Sequence, residues 1–144
     1  MNLPNLPIVV YHIGDQDYFR CCVALNSKLH SVYVIGDDTN KTLFKDVPNV
    51  KFYHVSDLPQ EEITRFKSYF VNYSTYKPDY AYQIFLRIFY VKQVMALNNL
   101  TACFHIDSDC VSVADLNYVF SKLPADCTAL SIQDDMPDPH MVAS

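Results

Sequence analysis

The sequence predicts an α/β fold, a three-layer sandwich whose sheet is mostly parallel. Three observations carry that expectation. Short β-branched runs alternate with stretches of helical periodicity over short connections, the pattern that favours right-handed crossovers between parallel strands. The run Ile8-Val9-Val10-Tyr11-His12-Ile13 is apolar at successive positions rather than alternate ones, as in a strand buried on both faces. Strands also stop at glycine and acid, at Gly14-Asp15 and again at Gly36-Asp37-Asp38. In a parallel sheet both endings share the carboxyl edge, where open α/β sheets bind ligands. With 144 residues, 50% of them hydrophobic, the chain has the material for one domain with a sizeable core.

The first strand spans residues 8–13. A helix follows over residues 17–29, with Phe19, Cys22, Val23, Leu25 and Leu29 expected to share its inner face and Asp15 or Asp17 to cap it. The second strand covers residues 31–35 and the third residues 50–55. Polar helical sequence runs over residues 61–73, then a tyrosine-rich stretch reaches Pro78-Asp79 and a long helix over residues 79–98. Ala81, Ile84, Phe85, Ile88 and Met95 are expected on its inner side, with Gln83 and Arg87 in a polar strip and Arg87 needing a partner if buried. A fourth strand over residues 101–106 runs into Asp107-Ser108-Asp109. A short helix over residues 113–123, a fifth strand over residues 127–132 and a turn-rich tail complete the order.

Composition excludes several partners. Eleven Lys and Arg against 16 Asp and Glu give a formal charge of -5, so no basic field favours nucleic acid. Only Gly14 and Gly36 are present, too few and too far apart for a Walker loop or a G-x-G-x-x-G turn. Five cysteines without C-x-x-C spacing argue for small buried hydrophobes in a reducing compartment rather than a disulfide framework or zinc knuckle. The first seven residues lack the basic and apolar regions of a secretory signal, and charges interrupt the longest apolar stretch; the expected location is cytoplasmic, without a transmembrane segment. His12, His54 and His105 near strand ends invite a zinc site, but ordinary hydrogen-bonded histidines are the expectation.

Asp107-Ser108-Asp109 is the most informative tripeptide. Two carboxylates at i and i+2 project to one side if the strand continues, and they repel unless a cation or proton lies between them. Hard oxygen donors of this kind suit Mg²⁺ or Mn²⁺, which fill their remaining positions with water and phosphate oxygens. The D-x-D spacing is common by chance. The hydrophobic strand leading straight into it is what singles this one out.

Three strands, a long helix bearing Arg87, and then Phe104-His105-Ile106-Asp107-Ser108-Asp109 resemble the donor-binding half of GT-A fold glycosyltransferases, most nearly the family 8 type. The resemblance implies transfer of a sugar from a nucleotide diphosphate sugar, expected to be a UDP-sugar, to an acceptor hydroxyl. It implies Asp109 as direct ligand of Mn²⁺ or Mg²⁺, Asp107 on the metal or the ribose, and Ser108 against the nucleotide. Tyr11, His12 and Asp15 fall where such enzymes hold the base and ribose, Asp37 or Asp38 would add a nucleoside hydrogen bond, and Arg87 would reach the donor near its phosphates. No acceptor base can be named, and His140 has no matching motif as a third ligand. The acceptor half is expected to be missing, which leaves a non-catalytic nucleotide-binding or interaction module as the alternative. A haloacid dehalogenase-type phosphatase fits less well, because its D-x-D ends the first strand and not the fourth.

Overall fold

The computed structural model describes residues 5–73 and 75–124, so the expected fifth strand and the tail lie outside the described residues. Four parallel strands form one sheet in the order β3-β2-β1-β4. They are β1 (Ile8–Tyr11), β2 (Val32–Gly36), β3 (Val50–His54) and β4 (Phe104–Ile106), interspersed with helices α1 (Tyr18–Asn26), α2 (Glu61–Tyr69), α3 (Pro78–Leu97) and α4 (Leu116–Phe120). Central β1 pairs with β2 on one side (Ile8 opposite Val32) and with β4 on the other (Ile8 opposite Phe104).

Strand alternation sends side chains to two covered faces. Ile8, Val10, Val32 and Val34 meet Phe19 and Val23 of α1, with Phe44 from the β2–β3 connection and Leu116 of α4 completing that layer. Val9 and Ile35 point the other way, against Ile63 of α2 and Leu86, Tyr90 and Val94 of α3. Each such side chain contributes about 1.5–3 kcal/mol by leaving water, and the two-sided burial explains why β1 and β2 read as unbroken apolar runs.

Several boundaries and faces differ from the expectation. In α1 the buried residues are Phe19, Val23 and Asn26, while Leu25 and Leu29 are exposed. Asn26 is inside because its amide donates to the carbonyls of Cys22 and Cys110, and its Oδ1 accepts from the Ser112 amide, so the helix is tied to the chain after β4. Asp17 occupies the N-cap position with helical backbone angles and makes no side-chain cap. The long helix α3 starts at Pro78, well placed in a first turn where its missing N–H costs nothing. It buries Ala81, as expected, together with Leu86, Tyr90, Gln93 and Val94, while Ile84 and Met95 are half-buried and Phe85 and Ile88 are exposed, so the inner face is rotated from the expected one. Apolar residues encircle this helix, and periodicity alone does not select one side. β4 covers only Phe104–Ile106 of the expected 101–106; before it, α3 closes with Asn99 left-handed (φ 52°) and the Leu100 amide donating to the Met95 carbonyl. Cys21 and Cys110 are exposed, not buried, and Cys127 lies outside the described residues.

Two loops at the carboxyl edge are locked together. The Gly14 amide donates to Asp37 Oδ2 (3.1 Å), and fully buried Asn40 donates to the Gly14 carbonyl while accepting from the Asp37 amide. Gly14 needs its freedom, with φ at 108°. A Cβ on Gly36 would fall 1.9 Å from Asn40 Oδ1. Among the described residues no helix is long and apolar enough to cross a membrane.

Candidate functional site

A cleft of about 510 Å³ opens at the carboxyl edge between β1 and β4. Strand order reverses at that point: the chain runs outward from β1 through β2 to β3, then returns to add β4 on β1's other side. Loops diverge there, leaving a crevice that the sheet's own connectivity creates.

Strand alternation decides which wall each residue serves. His12 continues the face of Ile8 and Val10 and packs its ring on Phe19 of α1, centroids 4.1 Å apart. Tyr11 continues the opposite face, stacks on Tyr90 of α3 at 5.6 Å and donates its hydroxyl to Gln83 Oε1. Burial, reinforced by the nearby Tyr90, Asp37 and Tyr82, pushes the Tyr11 hydroxyl far above its ordinary range, so it acts as a neutral donor.

Asp107-Ser108-Asp109 does not extend the strand. The Cys110 amide donates to the Asp107 carbonyl at 3.1 Å, folding the tripeptide into a turn at the floor of the cleft. Asp107 meets α3, where Arg87 Nη1 donates to its Oδ1 at 2.6 Å, the partner that Arg87 requires. Ser108 Oγ shares a 2.8 Å hydrogen bond with His12 Nδ1. Asp109 lies close enough to the α1 side that its charge acts on His12 and Cys22. The two carboxylates are thus divided between the two helical layers, and only one of them is neutralised by an arginine.

His12 is buried, and among the described residues its Nε2 has no hydrogen-bond partner. Burial lowers its pKa despite the opposing pull of Gln16, Asp37, the Gly14 backbone and Asp109. Burial is also the largest cause holding the Cys110 thiol above its ordinary value, with Asp109 and Asp107 adding to it, so Cys110 is a poor nucleophile.

Of the residues singled out from the sequence, Tyr11, His12, Arg87, Asp107, Ser108 and Asp109 line one cleft. Asp15, Asp37 and Asp38 are not among its lining residues. Asp15 is exposed on the β1–α1 loop, Asp37 braces that loop, and Asp38 lies 3.2 Å from His54 Nε2 at the end of β3. His54 in turn accepts at Nδ1 from the Ser56 amide, a cap on the short 3₁₀ turn Val55–Asp57 outside the cleft. Sequence reasoning missed Tyr80 and Ile84, which line the cleft beside Gln83 and Arg87. Their spacing from Tyr80 (i, i+3, i+4, i+7) marks one face of α3, a signal obscured by apolar residues all round the helix.

No protein-family model, curated protein or solved structure matches this chain. What the site can do rests on its own chemistry. Among the described residues no three His, Cys, Asp or Glu side chains group as a complete metal site, and His12, His54 and His105 do not form one. His105 instead lies 2.9 Å from the Val9 carbonyl, donating from Nδ1. Two carboxylates remain as hard donors at the cleft floor. Donors of this kind are the type that Mn²⁺ or Mg²⁺ take, and for both to serve one cation Asp107 would have to leave Arg87.

Proposed function

We propose that this chain is the donor-binding part of a metal-dependent glycosyltransferase of the GT-A type, holding a nucleotide diphosphate sugar, best a UDP-sugar, in the cleft between β1 and β4. One observation carries the reading: the Asp107-Ser108-Asp109 turn sits at the reversal point of a parallel sheet with Arg87 across from it. Asp109 and Asp107 would hold Mn²⁺ or Mg²⁺, which when bound stabilises negative charge on a departing diphosphate. Arg87 would supply a second, permanently positive group to the phosphates. Tyr11 and His12 line the cleft, where Tyr11 would offer an aromatic surface and backbone groups near the strand end would meet a pyrimidine. Transfer to an acceptor hydroxyl, whether on glycan, lipid or protein, belongs to the same proposal.

Calorimetry with uridine diphosphate in the presence and absence of Mn²⁺ tests it. Binding should require Mn²⁺, and Asp109→Ala should abolish the Mn²⁺-dependent part while circular dichroism stays unchanged. Equal affinity with and without Mn²⁺ would refute the reading. The Arg87–Asp107 pair also favours a second reading, a nucleotide-binding module without turnover, because one carboxylate is already engaged by a protein cation. Donor hydrolysis in Mn²⁺ separates the two: product formation supports the transferase, and tight binding without product supports the module.

A further inference from the structure

Among the described residues Arg87 and Asp107 form the ion pair that crosses the cleft floor, Nη1 to Oδ1 at 2.6 Å. Neither partner is sealed in. The side chains are 34% and 64% exposed, so the contact can open without uncovering the core. Opening also leaves both anchors in place, since Arg87 rides on the rigid helix α3 and Asp107 follows β4 directly. Among the described residues the ion pairs are Arg20–Asp46, His54–Asp38, Arg87–Asp107 and Lys92–Glu62, and Asp109, on the same turn, belongs to none of them.

A divalent cation drawn to Asp109 would meet a turn whose other carboxylate already carries a guanidinium, and like charges a few ångströms apart repel. We propose that Arg87 acts as an exchange latch: it competes with the cation for Asp107 and releases it only to the phosphates of an incoming diphosphate, so that the cleft takes up cation and diphosphate together. This rests on the reading of the cleft as a cation and nucleotide site, and it adds the order in which the site fills. The driving force is an exchange of partners. Arg87 trades one carboxylate for phosphate oxygens, which suit its planar fork better, and Asp107 is freed to join Asp109. The coupling is reciprocal, so the diphosphate must tighten cation binding by the factor by which the cation tightens the diphosphate.

Charge removal at Arg87 distinguishes a latch from a merely orienting residue, because the two predict opposite signs. Mn²⁺ binding to the full chain is followed by electron paramagnetic resonance of the free ion, without and with uridine diphosphate, for the native chain, Arg87→Leu and Arg87→Gln. The glutamine variant removes the charge but keeps a polar side chain in the half-exposed position should leucine disturb the fold. In the absence of nucleotide the variants should bind Mn²⁺ at least about tenfold more tightly than the native chain, the lower limit that fully water-like screening gives for removing one unit charge about 6 Å from a divalent ion. In the same variants uridine diphosphate should lose most of its ability to tighten Mn²⁺ binding. Weaker or unchanged Mn²⁺ affinity in both variants, with nucleotide-dependent binding retained, would overturn the latch and leave the functional reading standing. Absence of Mn²⁺ binding in every variant, with or without nucleotide, would remove both.

Discussion

Asp37 accepts from the Gly14 amide and from the amide and hydroxyl of Thr39, and those bonds outweigh burial to hold its carboxyl below the usual range. An acid ending a strand at the ligand edge reads from sequence as a site residue, yet here the scaffold claims it. Asp107 ends its strand in the same way and faces the cleft. Sequence cannot distinguish the two, because the distinction depends on which loop packs alongside. Gly36 shows the same loop packing from the other side. An alanine there would drive its Cβ into Asn40 Oδ1 and to 2.9 Å from Phe52 Cε2. Gly36→Ala should therefore cost about 1–3 kcal/mol, read as a lower urea midpoint with an unchanged slope. His12 gives a pH signature. Its folded pKa is lowered, so between that value and about 6.5 the unfolded chain binds more protons, and stability falls as pH drops through this window. Burial lowers His105 in the same direction. Urea midpoints at about pH 7.5 and about pH 5.5 should differ, lower at the acid end, and His12→Asn should narrow the gap. Identical midpoints in the native chain would count against the burial argument.

At the scale of elements, the strands were legible and the helix faces were not. Strands β1 and β2 announced themselves because burial on both faces demands unbroken apolar runs. Helix α3 announced its length but hid its orientation. Leu86, Tyr90 and Val94 face the sheet, while Ile88, equally apolar, stands 63% exposed. Position rather than hydrophobicity decides the consequence of substitution. Leu86→Ala should cost about 2–5 kcal/mol by leaving a cavity against β1 and β2, whereas Ile88→Gln should change stability by no more than about 0.5 kcal/mol. Chemical denaturation of the two variants checks this, and a large loss at Ile88 would return the inner face to the one that periodicity suggested. The same helix carries Tyr80, Gln83, Ile84 and Arg87 into the cleft, so one element supplies both a core face and a ligand wall.

At the scale of the molecule, the strand order places the cleft. Because β4 adds to β1 after the chain has travelled out to β3 and back, the acids following β4 arrive beside the residues ending β1, although 96 positions separate His12 from Ser108. Alternating strands and helices were enough to predict a parallel α/β sheet. The same arrangement constrains how the chain is made. One side of β1 finds β2 within the first 36 residues, but the other stays open until β4 has been synthesised, which at about 5–20 residues per second leaves roughly 3–14 s of exposure on the ribosome. For that interval Ile8, Val9 and Val10 present an unpaired hydrophobic edge, the kind of surface that chaperones hold and that aggregates recruit. Nascent chains stalled with β4 still inside the ribosome should therefore bind ATP-independent chaperones more than chains stalled with β4 outside, and among the described strands the β1–β4 seam is the last to close.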